Sequence, residues 1–245
     1  MFNKKIEDDS EHSFWISYAD MLTGFLISFM VIALLLASKV KDCPTCPPPC
    51  PGIGSAANTQ RALIKDLWEE FKNDDIIVVD TATKTIRFRQ INTNSSNVLF
   101  EIGKTEPNIL LKSKLSYFIP KYLKKLNEIR LNNKKVEIKE IRIEGHTDDL
   151  PSKEDPNCIY LCNYRWATER AMNVLKYFVE ESSYFKDKVN SNYEEWSFFM
   201  NRMMPCGYAY SKPLDIDGNP TIIQKINGNQ SRRIEFRVII EDKPK

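Results

Sequence analysis

One stretch of this chain limits what it can be more than any other: "FWISYADMLTGFLISF", residues 14–29. It opens an apolar run from Ile16 to Ala37 whose only ionisable members are Tyr18 and Asp20. A helix over that run is roughly 33 Å long, one bilayer crossing. A cleaved leader would need a basic start and a small-residue cleavage site. Residues 1–13 instead mix Lys4 and Lys5 with Glu7, Asp8, Asp9 and Glu11. The expectation is an uncleaved transmembrane helix over 14–39, preceded by a short tail over 1–13.

A carboxylate in such a helix costs roughly 2.5–3.5 kcal/mol near the bilayer centre and less toward an end. On a helical projection Ser17, Asp20, Gly24 and Ser28 share one face, with Thr23 beside them. The remaining faces are Leu, Ile, Met, Phe and Val. Gly24-x3-Ser28 is a small-x3-small packing face, which fits a neighbouring helix or a hydrated path better than lipid. Two readings follow. Asp20 either snorkels to the interface and marks the start of the span, or it binds and releases an ion inside a protein interface. One span cannot enclose an ion path, so the second reading requires a multi-span partner.

The rest of the chain is ordinary in composition, with a net charge of +2. That balance implies no polyanion field, and no basic arm or finger spacing points to nucleic acid. Residues 40–57 contain "DCPTCPPPCPGIGSA", a Pro/Cys linker stiffened by polyproline geometry. Beyond it the pattern predicts a helix over 58–73 and strands over 76–80 and 84–90. A long helix over 106–131 is tolerated or broken at Pro120. A strand over 135–145 breaks its alternation between Ile138 and Ile141, the mark of a bulge. A helix over 163–181, a short one over 194–203 and a last strand over 232–240 complete the series. The expected class is α+β, a mixed sheet with helices packed on one face.

All six cysteines (Cys43, Cys46, Cys50, Cys158, Cys162 and Cys206) follow the apolar run. That asymmetry places an oxidising compartment on its C-terminal side. Cys43-x2-Cys46-x3-Cys50 has metal-like spacing, but it is proline-locked with no histidine nearby, so disulfides are favoured over zinc. Six cysteines allow 15 connectivities. Only Cys158–Cys162 is expected as a specific pair.

"FWISYADMLTG" resembles the membrane segment of the B subunits of ion-driven stators, the MotB/ZorB family. There Tyr-Ala-Asp carries the ion-binding aspartate. The Phe-Trp-Ile-Ser-Tyr-Ala-Asp wording is nearest the Zorya anti-phage branch. Further along, "IEGHTDD" (143–149), "NYRWATERA" (163–171), "GY" (207–208) and "SRRIEF" (231–236) resemble, in order, the motifs of the OmpA-like peptidoglycan-binding domain. That likeness spans roughly 84–240 within a region of 58–245.

The resemblance implies an inner-membrane protein with a cytoplasmic N-terminus and a periplasmic C-terminal domain. Two copies would sit inside a pentamer of multi-span A subunits. Asp20 would carry H+ or Na+, with no cofactor, metal or enzymatic activity. The implied wall ligand is the diaminopimelate of the stem peptide, held by Asp148 and Arg170 with Thr147 and Asn163. Physical chemistry agrees: Asp148 can take an ammonium and Arg170 can clamp a carboxylate bidentately. The plainer alternative is an Asp148–Arg170 salt bridge that only closes the turn. His146 is read as structural. Ala167-Thr168 replaces the family's Leu-Ser, the loop between Asp148 and Asn163 is enlarged, and residues 184–203 are an aromatic-rich insertion. A flagellar stator and a passive wall-tethered anchor are the other readings.

Overall fold

The computed structural model describes residues 21–32, 54–90, 98–101, 103–150, 157–222 and 227–244. The chain divides into two compact units, 1–52 and 53–245. In the first, residues 21–32 are helical and their large apolar side chains are exposed. Ser28 Oγ donates to the Gly24 carbonyl at 2.9 Å, so the hydroxyl on the small-residue face is satisfied within its own helix. Among the described residues no helix is long and apolar enough to cross a membrane. Asp20 and Ser17 lie outside the described residues, as do Cys43, Cys46 and Cys50.

The second unit is a mixed five-stranded sheet with helices. In chain order it runs α1 (Ser55–Phe71), β1 (Ile77–Asp80), β2 (Thr85–Phe88), α2 (Ile109–Asn132), β3 (Val136–His146) and α3 (Tyr160–Lys176). A π-helical turn (Tyr177–Glu181) follows, then α4 (Ser183–Ser191), α5 (Tyr193–Met200), β4 (Met203–Gly207), α6 (Gly228–Ser231) and β5 (Arg233–Asp242). The strand order is β1-β2-β5-β3-β4. Only β3 and β4 are parallel; every other neighbouring pair is antiparallel.

Alternation along each strand sorts the residues into two faces. Ile86, Phe88, Ile141, Ile143, Ile234, Phe236 and Val238 point into one apolar core with the inner faces of α1, α2 and α3. Phe118 of α2 sits at its centre, 5.1 Å from Phe88 and 5.0 Å from Phe236 between ring centroids. The irregular step in β3 falls between Ile138 and Glu140, where the broken alternation placed it. Without that bulge Ile138 and Ile141 could not both face the core.

Helix α2 begins on Asn108, whose side chain accepts from the Leu111 amide at 2.9 Å. It runs through Pro120, the tolerated branch of the expectation; buried Phe118, Ile119, Tyr122 and Leu123 hold the helix across the missing hydrogen bond. Helix α1 has no side-chain cap of its own. Asp242, at the far end of β5, accepts from the Ala56 amide at 2.8 Å, so the chain's last strand caps the helix that follows the linker. Three elements were not read from the sequence: β4, α4 and the short α6. "MMPCG" contains a proline and no alternation, and it becomes a strand only because β3 offers a parallel edge.

The approach of α3 to the sheet is set by two glycines. A Cβ on Gly145 would lie 2.0 Å from the Ala167 carbonyl oxygen, and one on Gly207 would lie 2.1 Å from Thr168 Oγ1. The backbone of α3 therefore rests directly on the ends of β3 and β4. Gly145→Ala is expected to force the helix outward and cost about 3 kcal/mol, a fall in melting temperature on the order of 10 °C. Thermal unfolding of the two proteins in parallel measures it; an unchanged midpoint would refute the close approach.

Candidate functional site

Where β3 ends, the chain turns through His146, Thr147 and Asp148, all buried. The Thr147 amide donates to the Ala209 carbonyl at 2.9 Å, but its buried hydroxyl has no hydrogen-bond partner. Asp148 is ion-paired with Arg232, Oδ2 to Nη1 at 2.5 Å. It is not within salt-bridge reach of Arg170 among the described residues, so the Asp148–Arg170 turn closure is replaced by an Asp148–Arg232 one. Arg232 also donates through Nη2 to Asn229 Oδ1 at 2.7 Å, which fixes the guanidinium.

Arg170, on the third turn of α3, is also buried. Its guanidinium stacks over Phe100 with a 4.9 Å separation, and Nε donates to the Lys104 carbonyl at 3.3 Å. These contacts hold the stem and one edge of the group; its two Nη groups make no hydrogen bond to the described residues. Burial pulls the guanidinium down, Asp148 pushes it up and Arg232 pulls it down again, to about 10. It is therefore cationic at neutral pH. The side chains of buried Asp148 and Arg170 and half-buried Arg232 thus gather one carboxylate and two guanidiniums next to the Thr147 hydroxyl.

Asn163 is buried and commits its amide hydrogens within the protein. Its Nδ2 donates to the carbonyls of Leu150 and Ile159 at 2.9 and 3.0 Å, pinning the two sides of the enlarged loop. The expected disulfide is present between Cys158 and Cys162, across the start of α3. Cys206, on β4, has no disulfide partner among the described residues. Phe100, Lys104 and Arg232 were not singled out in the sequence. Only Arg232 left a trace there, as the first arginine of "SRRIEF".

The sheet face opposite the core holds an ionic network contacted by Tyr208, Lys212, Gly218 and Ser231 from the chain before β5. Glu144 accepts from Arg237 Nε at 2.9 Å and from Lys212 Nζ at 3.2 Å. Glu235 accepts from Arg87 Nε at 3.1 Å and from Arg233 Nε at 2.6 Å. Burial alone would raise both carboxyls, yet the Arg237 and Lys212 charges hold Glu144 below the usual carboxylate range and the Arg233, His146 and Arg87 charges bring Glu235 down to about 2. Glu144, His146 and Glu235 place donor atoms within 4.8 Å of one another. A divalent cation does not fit them: each carboxylate already answers two cations, and more positive charge would be added where cations are in excess.

His146 stacks on Tyr208 at 5.2 Å, and neither ring nitrogen has a hydrogen-bond partner. Its Nε2 lies 3.8 Å from Glu144 Oε2, too far for one. Burial, and then the Arg233 charge, lower the imidazole to about 4. The unfolded chain therefore takes up this proton first as pH falls. Folding stability is full above the ordinary histidine value near 6.5 and is lost between there and about 4, by roughly 3 kcal/mol. Glu144 and Glu235 add their own loss below about 4.5, as pH falls toward their folded values. Thermal midpoints of the detergent-solubilised chain should drop steadily from pH 7 to pH 4.5. A flat profile over that window would contradict a neutral, buried His146.

No family model matches the chain. Over 248 residues it is 29% identical to the Zorya protein ZorB of Escherichia coli (strain ATCC 8739, Crooks), a match covering 96% of this chain and 90% of that protein. The chain resembles ZorB along nearly its whole length. The match takes in both the N-terminal apolar run and the C-terminal unit, so the sequence resemblance to the MotB/ZorB family holds. Among solved structures, the periplasmic domain of MotB matches at 15% identity over 65% of this chain and 64% of that one, with a TM-score of 0.35. The periplasmic domain of Helicobacter pylori MotB matches at 19% identity over 65% and 79%, with a TM-score of 0.33. The OmpA-like domain of FopA1 from Francisella tularensis matches at 13% identity over 64% and 73%, with a TM-score of 0.32.

Proposed function

We propose that this chain is the wall-anchored membrane subunit of an ion-driven rotary motor serving Zorya-type anti-phage defence. In this reading residues 14–39 cross the inner membrane once, with the N-terminus cytoplasmic and the C-terminal unit periplasmic. Two copies lie within a pentamer of a multi-span A subunit, and Asp20 loads and releases H+ or Na+ as that ring turns. The C-terminal unit is an OmpA-like domain that grips the diaminopimelate-bearing stem peptide of peptidoglycan and holds the subunit against torque.

The observation that carries the defence assignment is the similarity to ZorB over 96% of the chain, since a likeness confined to a wall-binding domain would leave the machine open. For the grip, the support is chemical. Arg170 is a buried cation whose Nη groups have no hydrogen-bond partner among the described residues, with Asp148 near enough to act on its charge and the Thr147 hydroxyl on the adjoining residue. A zwitterionic amino acid offers each of these a counterpart: its carboxylate to the guanidinium fork, its ammonium to Asp148. Asn163 serves by holding the loop rather than by touching the ligand.

A flagellar stator remains the second reading, favoured by the same Tyr-Ala-Asp segment. Asp20→Asn, scored for phage plating and for swimming in parallel, separates the three possibilities. Lost resistance with normal swimming supports the defence motor, lost swimming supports the flagellar stator, and no change in either supports a passive anchor.

A further inference from the structure

The aromatic-rich insertion is not used by the site above, yet it builds a recess of its own. Helix α5 and the end of α2 enclose an open cavity of about 430 Å³ lined by Arg130, Tyr193, Glu194, Ser197, Phe198 and Asn201. That volume is within the range of small-molecule sites, roughly 300–1,000 Å³. We propose that it is a saccharide subsite that takes an N-acetylated sugar of a glycan chain.

The argument is from the chemistry of the walls. Tyr193 is 66% exposed, and one ring face stacks on Trp196 with centroids 5.4 Å apart. The stack holds the tyrosine as a rigid platform whose other side is open. A pyranose ring presents just such a complement, a flat face of C–H groups with hydroxyls around its edge. Aromatic rings with a polar tip suit a ligand that is apolar on one side and wet on the other.

Around the platform stand polar groups for the hydroxyl edge: the Glu194 carboxylate, the Ser197 hydroxyl and the Asn201 amide, which can donate and accept. Arg130 contributes a buried Nη1 with no hydrogen-bond partner. Its Nη2 is ion-paired with Glu194 at 2.6 Å, so the recess is close to neutral and offers little to an anion. The Arg130 and Arg202 guanidiniums lie over the Phe198 ring at 4.8 and 4.1 Å, which fixes that ring and leaves its edge, not its face, to an acetamido methyl. The exposed Tyr193 ring and the polar rim suit a neutral N-acetylated sugar, and the Arg130–Glu194 pair leaves little net charge for an acidic peptide or a nucleic acid. The geometry carries the sugar chemistry, while the identity of the polymer as the glycan strand of the wall rests on the function proposed above.

The test uses the full chain in a detergent without a sugar headgroup, titrated with the tetramer of N-acetylglucosamine and followed by calorimetry. Saturable binding is expected. Tyr193→Ala should weaken it tenfold or more and Asn201→Ala several-fold; neither substitution touches the core. Asp148→Asn should leave it unchanged. If the unaltered protein shows no saturable binding, or if Tyr193→Ala and Asn201→Ala bind as well as it does, the subsite is refuted. The same samples sedimented with purified sacculi keep the two sites apart. Loss of sacculus binding in Asp148→Asn with sugar binding intact supports both sites. Sugar binding with sacculus binding unaffected by Asp148→Asn overturns the stem-peptide grip alone.

Discussion

Cells carrying the complete defence system with Asp20→Asn are expected to plate phage as efficiently as cells lacking the system, a complete loss of resistance. The chain's abundance and its retention by the wall should be unchanged. The substitution is nearly isosteric and removes only the ability to hold and release a cation, so packing of the small-residue face through Gly24 and Ser28 survives it. In a motor the drive is electrical: each charge that crosses yields roughly 2.3 kcal/mol per 100 mV, and without a site to load, none crosses. A carboxylate that only snorkels to mark the start of the span would lose nothing on becoming an amide, which is also more readily inserted. Asp20→Glu refines the result. It keeps the charge but displaces it by one methylene, and it should restore part of the resistance. Full resistance in the asparagine variant at normal expression would end the motor reading.

Local pattern made most of the fold legible and some of the site. The bulge in β3 could be read because buried Ile138 and Ile141 break period two, and a broken period has one common cure. The pairing of Cys158 with Cys162 was expected and is present, although Cys158 lies just before the first residue of α3. What escaped was set by distant parts of the chain. Strand β4 has no strand-like pattern and exists because β3 has a free edge. Asp242 caps a helix 186 residues earlier, which no local signal encodes. The polar side of the sheet reads as a solvated face in sequence, since Arg87, Glu144, Arg233 and Glu235 alternate with apolar residues. Arg87, Glu144, Arg233 and Glu235 are buried instead, and the charges then have to satisfy one another. Likewise Asp148 and Arg170 were found by motif, whereas the ion pair of Asp148 with Arg232 depends on where β5 begins.

Arg170→Gln is expected to reduce retention on purified diaminopimelate-type sacculi about a hundredfold, and the double variant Asp148→Asn, Arg170→Gln to reduce it further, to whatever the sugar subsite alone supplies. A charge-assisted hydrogen bond to a buried partner is worth roughly 1.5–3 kcal/mol, and a guanidinium fork can make two to one carboxylate. A hundredfold corresponds to roughly 2.7 kcal/mol. The loss should fall on binding more than on folding, because the part of Arg170 that works within the protein is Nε and the ring stack on Phe100. Glutamine loses the charged fork while still filling part of that space, so the melting temperature should fall by only a few degrees. Arg170→Lys discriminates further: it restores the charge without the planar pair of donors, so intermediate retention identifies bidentate geometry, and full retention reduces the residue to a simple counter-charge. Asp148→Asn alone carries a second consequence, since it releases Arg232 from its ion pair and leaves two guanidiniums facing each other. Its melting temperature should fall more than that of Arg170→Gln, and raised salt should recover part of the difference by screening the repulsion. Were the double variant to sediment with sacculi like the unaltered chain, the wall contact would have to be sought elsewhere on the domain.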